Sequence, residues 1–486
     1  MDEATMFANL SPLDHRYRHS NPALFEKLSA YLSEEASVRY CLRVEAALTT
    51  SHAERTGKLE ESSRRKLAAA AEEIDPAEVY EEEEKTQHNV RAIVHVYKRH
   101  IPEELRPLVH LGATSVDILD TALAMRMRDV TRAVLLPMLA TLLGRLIELV
   151  DMHAELPQVG RTHGQFAVPV TAGFTFAEYV ARLGRCLPEI DRRAGDLRGK
   201  LRGAVGAYNA TSLITEDPED LERQVLKRLD LEPAGYATQI VEPEYLLRLV
   251  QEFNVAFGIL ANLADDLRNL QRSEIAEVQE HFSATQVGSS TMPQKRNPWN
   301  SEHVKSLWKA FAPRIMTLYM DQISEHQRDL SNSASMRFLA EYIAGFAAAL
   351  ARMDRIVATL RVDGDRMREN IDRAGGSLLA EPLYILLALS GEDAAHEVIR
   401  KLSLRAQDEG RRLEDLVLED EALSARLREQ LRKVSRLELT AFLRNPGAYT
   451  GKAAKIARDV ADRFRPVRRR YESRTSSYSP RHSGGN

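Results

Sequence analysis

Along Leu246, Val250, Phe253, Phe257, Leu260, Ala264 and Leu267 the apolar residues step alternately by four and by three. That stepping follows the helical repeat, so it draws one apolar stripe down a long helix, and such a stripe is stable only when other helices cover it. The same stepping recurs at Phe176, Val180, Leu183, Leu187 and Ile190, and again from Leu339 through Ile343, Phe346, Leu350, Met353 and Val357 to Leu360. Three stripes of this kind call for one shared core. A fourth segment, Val130 to Val150, is apolar on most of its circumference and contains Pro137, which reads as a kinked helix lying deep or facing another subunit. No alternating strand pattern of useful length stands out, so the fold class is mainly α.

The length of 486 residues exceeds what one small core needs and suggests several domains. Lys plus Arg (67) nearly balance Asp plus Glu (71), and a net charge of −4 gives no overall field to attract nucleic acid or a membrane, so neither is expected as a partner. Cys41 and Cys186 are the only cysteines, and no CxxC or HExxH spacing occurs, so neither a disulfide framework nor a metal site is expected. The first ten residues, MDEATMFANL, lack the layout of a secretory signal, and the expected compartment is the cytoplasm.

Four polar stretches interrupt this helical frame. GSSTMPQKRNP, Gly288 to Pro298, carries Ser289, Ser290 and Lys295 on a glycine-bearing loop. Asn297 with Pro298 reads as the cap and first turn of a following helix that carries Glu302. On the residues alone the loop is either an anion-binding lid or an ordinary Gly/Ser linker. HLGATSVDILDTA, His110 to Ala122, offers Thr114 or Ser115 as a helix cap, with free backbone N–H groups for a carboxylate or phosphate; an ordinary cap is the plainer reading. GRTHGQ, Gly160 to Gln165, places His163 in a short polar stretch before another helix; a lone histidine is usually structural, though an imidazole can exchange a proton near neutral pH. In QRDLSNSASMR, Arg328 and Arg337 would face opposite ways on an unbroken helix, so both can meet one ligand only if the chain turns at LSNS. If Ser333 caps the next helix, two guanidiniums, a hydroxyl and a helix N-terminus form a phosphate cradle. Arg16 and Tyr17, in LSPLDHRYRHS, are further candidates for that site.

In this order, LSPLDHRY, HLGATSVDILDT, GRTHGQ, GAVGAYNA, ATQI, GSSTMPQKRNP, QRDLSNS and NPGAYTGKA resemble the fumarase/aspartase superfamily, with its GSSxMPxKxNP signature, and within it the adenylosuccinate lyase family. The resemblance runs from about Leu10 to about Arg465. It implies a three-domain fold: an N-terminal helical domain over 1–110, a central long-helix bundle over 111–364 with the signature loop at 286–298, and a C-terminal helical domain over 365–467. Residues 468–486 read as a disordered basic tail, polar with little to bury.

The implied chemistry is elimination of fumarate from adenylosuccinate and, by family habit, from succinylaminoimidazole carboxamide ribotide, without metal or cofactor. The resemblance implies that Ser289 is the base, that His163 is the acid supported by Glu302, and that His88 is a second histidine at the substrate. It likewise implies that Lys295, Asn297, Thr114, Ser115, Thr162 and Gln239 hold the substrate, and that Arg16, Tyr17, Arg328, Ser333 and Arg337 hold its phosphate. It further implies a homotetramer whose active sites are shared between subunits, with Val130 to Val150 buried by partners. Asn89, Asn332, Phe166 and His303 depart from the family pattern, where aspartate, aspartate, proline and, in some members, arginine stand. Another lyase of the superfamily, acting on argininosuccinate, an aspartate-like compound or a carboxymuconate, would share Ser289, Lys295 and His163 but have no need of the arginine cradle. A non-catalytic helical scaffold would have no reason to keep the proton-transfer groups.

Overall fold

The computed structural model describes residues 6–57, 60–283, 285, 288–435 and 437–472, and these are mainly helical. The three apolar stripes lie on the helices Ala172–Gly195, Glu244–Leu270 and Leu339–Ala358. Each turns its stripe inward, burying Leu183 and Ile190, then Val250, Phe253 and Phe257, then Ile343, Phe346 and Met353. At the centre the Phe346 ring lies 5.8 Å from that of Phe253 and 5.3 Å from that of Phe257. Each side chain so withdrawn from water contributes roughly 1.5–3 kcal/mol, which is why packing rather than intrinsic propensity holds these helices.

The helix Leu136–His153 packs against both 172–195 and 339–358. Of the two sequence readings for this segment, lying deep or facing another subunit, the first describes it within one chain, which covers Leu139, Leu143, Leu146, Ile147 and Val150. The reason is the last helix, Ala453–Glu472, which lies along both 136–153 and 172–195 and inserts Ala457, Ala461 and Phe464 into the same apolar cluster. The expected kink is a π-helical turn, Thr131–Leu135, just ahead of Pro137. Proline has no N–H to donate and its ring crowds the carbonyl four residues back, so one widened turn lets the helix from Ser115 continue. Both Ser115–His153 and Glu244–Leu270 are long and apolar enough to span a membrane, and the greater part of each is buried within the molecule.

Packing runs across the expected domain limits. The helix Glu34–Arg55 packs on Ser115–Val130, and Val44, Leu48, Val94 and Tyr97 belong to one apolar cluster with the long bundle, so position 110 is no division in the packing. A separate small core around Leu383, Leu387, Val417, Leu427 and Leu443 unites the helices from Ala380 to Arg444, but the final helix leaves it for the bundle. That helix continues through Glu472, so 468–472 are ordered helix; the rest of the expected tail, 473–486, lies outside the described residues, as do 286–287 of the signature loop.

Strands are also present. Pro157–Thr162 pairs antiparallel with Gln165–Thr171, and two shorter antiparallel strands, Val278–Gln279 and Arg361–Val362, bring together the ends of two long helices. Pro169 disguises the first pair, because a proline inside an apolar run argues against a strand except where, as here, the strand is an edge.

Candidate active site

The signature loop closes on itself. Asn297 donates its side-chain amide to the Gly288 carbonyl at 3.0 Å, and the Lys295 N–H reaches the Met292 carbonyl at 3.0 Å. A β-carbon on residue 288 would collide with the Lys295 carbonyl oxygen, so glycine is required there for close approach rather than for free motion. Inside the loop the Ser289 hydroxyl oxygen accepts the N–H groups of Thr291 at 3.3 Å and Met292 at 3.0 Å. Two donors on one oxygen stabilise negative charge on it, and Lys295 adds a cation on the same exposed loop.

Asn297 does not cap the following helix, contrary to the sequence reading; one N–H of its amide goes to the Gly288 carbonyl instead. The helix Trp299–Phe311 starts at Pro298, and its N-terminal donors are met from outside by the buried carboxylate of Glu280, which accepts the N–H groups of Asn300 at 3.2 Å and Ser301 at 2.8 Å and the Ser301 hydroxyl at 2.5 Å. Glu302 is exposed in the first turn of this helix and shares a groove with Arg268, Lys305, Ser306 and Lys309.

His163 stands at the tip of a hairpin, not in a lead-in to a helix. Thr162 pairs with Gln165, leaving His163 (φ +53°) and Gly164 (φ +75°) as a two-residue turn with both φ positive, the geometry that matches strand twist. Its imidazole is exposed and forms no hydrogen bond among the described residues. Behind it Arg161 is clamped by the buried Glu277 carboxylate at 2.6 and 3.0 Å, and its guanidinium lies 5.6 Å from the centre of the Phe166 ring. Phe166 therefore serves as a platform that proline could not offer.

His88 caps the helix Asn89–Arg99: its Nδ1 accepts the Arg91 N–H at 3.3 Å, which leaves the proton of the neutral ring on the outward Nε2. Asn89 turns its carbonyl to the Val90 N–H at 2.7 Å.

Thr114 caps Ser115–Val130, as one reading of the sequence had it. Asp117 completes the arrangement by accepting the Thr114 N–H at 2.9 Å, and also takes the N–H groups of Arg202 and Gly203, each at 3.0 Å, and the Lys200 ammonium. Asp117 and Lys200 are fully buried, so this knot fixes the start of the Thr114 helix to the chain around Gly203. Lys200→Ala would strand the carboxylate, and a loss of about 3–5 kcal/mol of stability is expected. Urea unfolding checks this, and a change below about 1 kcal/mol would show the pair to be dispensable.

Three elements meet around Asp120. Its carboxylate accepts the Val241 N–H at 2.9 Å, and the Gln239 N–H reaches the Gln327 carbonyl at 3.4 Å. Burial pushes the Asp120 carboxyl up to about 6, opposed by the Val241 hydrogen bond and by the charges of Lys200 and Arg328. Arg328 meets only the side-chain carbonyl of Asn332, at a long 3.5 Å, and its Nε is buried without a partner among the described residues. Asn332 in place of aspartate thus leaves that guanidinium's charge uncancelled by its neighbour. Ser333 does not cap the next helix: Ser335–Phe338 is a 3-10 turn without a side-chain cap, and the helix proper begins at Leu339. Ser333 and Arg337 are exposed on these turns.

Tyr17, at the end of a π-helical turn in which Arg16 is exposed, places its hydroxyl 2.8 Å from His303 Nε2. Burial and the nearby Arg352 charge hold the His303 imidazole below its usual range, which favours the neutral ring as the hydrogen-bond partner of the phenol. His303 therefore positions Tyr17, a role no motif disclosed. Asp117 was legible in principle, since Thr-x-x-Asp is a capping-box pattern; Lys200, Glu277 and Glu280 carried no local signal.

Gln239, Arg328 and the Thr114 helix come together in one chain, and so do Tyr17 and His303. His88, His163 and Ser289 sit on separate elements, and among the described residues no hydrogen bond joins any two of them.

A long-helix bundle carrying a serine and lysine on a self-closed flap, with a histidine presented on a hairpin, defines a lyase of the fumarase/aspartase type. Residues 15–310 match the lyase family and residues 324–440 match the adenylosuccinate lyase C-terminal family. Adenylosuccinate lyase of Pyrococcus abyssi is 32% identical over 465 residues, covering 94% of this chain and 99% of that protein. N-acetyl-S-(2-succino)cysteine lyase of Enterococcus italicus is 29% identical over 445 residues, 89% of this chain and 93% of the relative. The crystal structure of the 3-carboxy-cis,cis-muconate lactonizing enzyme of Pseudomonas putida superposes with a TM-score of 0.77 at 26% identity, covering 93% of this chain and 97% of the other. The chain belongs to the adenylosuccinate lyase family of the fumarase/aspartase superfamily.

Proposed function

We propose that this protein eliminates fumarate from adenylosuccinate to leave AMP, and from succinylaminoimidazole carboxamide ribotide to leave the carboxamide ribotide, in purine nucleotide biosynthesis. The observation that carries the reading is the Ser289 hydroxyl held under two N–H groups on a loop that also bears Lys295. A proton beside a carboxylate is weakly acidic, so its removal needs an oxygen base of unusual strength and donors for the charge that develops. Ser289, once its hydroxyl proton has passed to solvent, takes the Cβ proton as the alkoxide those N–H groups stabilise. The pair of electrons left behind forms the carbon–carbon double bond as the carbon–nitrogen bond breaks, and His163, with Glu302 in support, gives the leaving nitrogen its proton. Lys295, Asn297, Thr114 and Ser115 receive the succinyl carboxylates, Thr162, Gln239 and His88 orient the substrate, and Arg16, Tyr17, Arg328, Ser333 and Arg337 take the phosphate.

The active form is a homotetramer in which each site draws on several chains. Support comes from the exposed apolar side chains of Met316, Met320, Ile323, Leu330 and Phe338, which want a cover. A cytoplasmic setting accords with Cys41 and Cys186, both free thiols.

A sister lyase acting on a bare dicarboxylate would not need the cradle. Arg337→Ala is therefore expected to raise KM for adenylosuccinate about 10- to 100-fold, the worth of a charge-assisted hydrogen bond, while kcat stays near its original value. An unchanged KM in steady-state assays would remove the nucleotide phosphate from this site.

A further inference from the structure

Two buried carboxylates three residues apart, Glu277 and Glu280, flank the short strand Val278–Gln279. An odd spacing on extended chain turns them to opposite sides, and each grips a different piece of the site. Glu277 accepts from Gln158 at 2.9 Å, from Arg161 at 2.6 and 3.0 Å and from Asn370 at 2.8 Å, and so holds the base of the His163 hairpin. Glu280 accepts from Asn300 and from the backbone and hydroxyl of Ser301, and so holds the far stem of the Ser289 flap. Gln271 adds a second tie: it accepts the Glu280 N–H at 2.9 Å and donates to the Arg296 carbonyl at 3.3 Å.

The strand itself is anchored. The Glu277 N–H reaches the Leu270 carbonyl at the end of the 244–270 helix at 2.9 Å, the Asp363 N–H reaches the Glu277 carbonyl at 2.9 Å, and Val278 pairs with Val362 just beyond the 339–358 helix. Neither carboxylate is on an exposed surface, and the elimination assigns neither a proton to carry.

We infer that Glu277 and Glu280 are positioning residues, one for the proton-donor hairpin and one for the base-bearing flap, mounted on a single strut fixed to the ends of the two long helices. The kinetic part of this inference rests on the elimination proposed above; the mechanical part does not. Misplacing a reacting group by an ångström costs up to about 100-fold, so Glu280→Gln and Glu277→Gln, which keep size and remove charge, are each expected to lower kcat about 10- to 100-fold. KM should stay within about threefold, because the phosphate contacts that dominate binding lie elsewhere.

Hydrogen exchange measured by mass spectrometry on the intact assembly supplies the second readout. Glu280→Gln should speed exchange over 288–301 while 158–170 is unchanged, and Glu277→Gln should do the reverse. Ser301→Ala, which removes one hydroxyl donor to Glu280, should loosen 288–301 to a smaller extent and serves if Glu280→Gln does not assemble. Failure of the unaltered protein to release fumarate from adenylosuccinate would sink the elimination reading, and the exchange maps would still decide the strut. Unaltered local exchange in both variants overturns the inference, and so does loosening that spreads through the 172–195 and 244–270 helices, which would make the pair merely structural.

Discussion

Ser289→Ala is expected to lower kcat by about a thousandfold, within the range of 10²–10⁴ attributed to a placed general base, with substrate binding retained. Removing the hydroxyl deletes the oxygen on which the Thr291 and Met292 N–H groups converge. Binding survives because the groups assigned to phosphate and carboxylate lie on other elements or farther along the loop. Single-turnover mixing of the variant with adenylosuccinate checks both halves: a bound, unreacted substrate is the expected result. Turnover near that of the unaltered protein would strip Ser289 of the role of base.

His163→Asn should be equally inactive alone, since the departing nitrogen would leave without its proton. The larger effect comes from mixing. His163 and Ser289 are carried by a hairpin and a flap that, among the described residues, make no hydrogen bond to each other. If one site takes its histidine and its serine from different copies, some sites in a mixed assembly recover both. Unfolding the two inactive variants together and reassembling them is expected to return activity at least about tenfold above either parent, given single losses of 10²–10⁴. Mixed assemblies no more active than their parents would place both groups in a site built by one chain.

How much of this was legible beforehand depended on whether the deciding contact was local. The stripe through Phe253 and Phe257 and the one through Phe346 were readable because helical burial repeats with a period the sequence displays. The Thr114 cap was readable for the same reason, being settled within four residues. Pro169 concealed a strand whose edge position makes proline harmless. Asn297 looks like a cap by local rules, but other partners decided otherwise: Gly288 claimed Asn297, and Glu280 satisfied the helix that Asn297 was expected to start. Glu277, Glu280 and Lys200 act across gaps of about 20 to 120 residues, and no spacing rule reaches that far. The end of the final helix misled in another way, because the charges from Arg468 onward suggested a disordered tail while Tyr471 is buried in the bundle.

The most direct measurement is the purified protein supplied with adenylosuccinate alone, followed by simultaneous detection of fumarate and AMP. The expected result is one fumarate and one AMP for each substrate consumed, with no metal or cofactor added. Sustained absence of both products from a correctly assembled protein, alongside turnover of a succinylated compound that lacks phosphate, would contradict the reading.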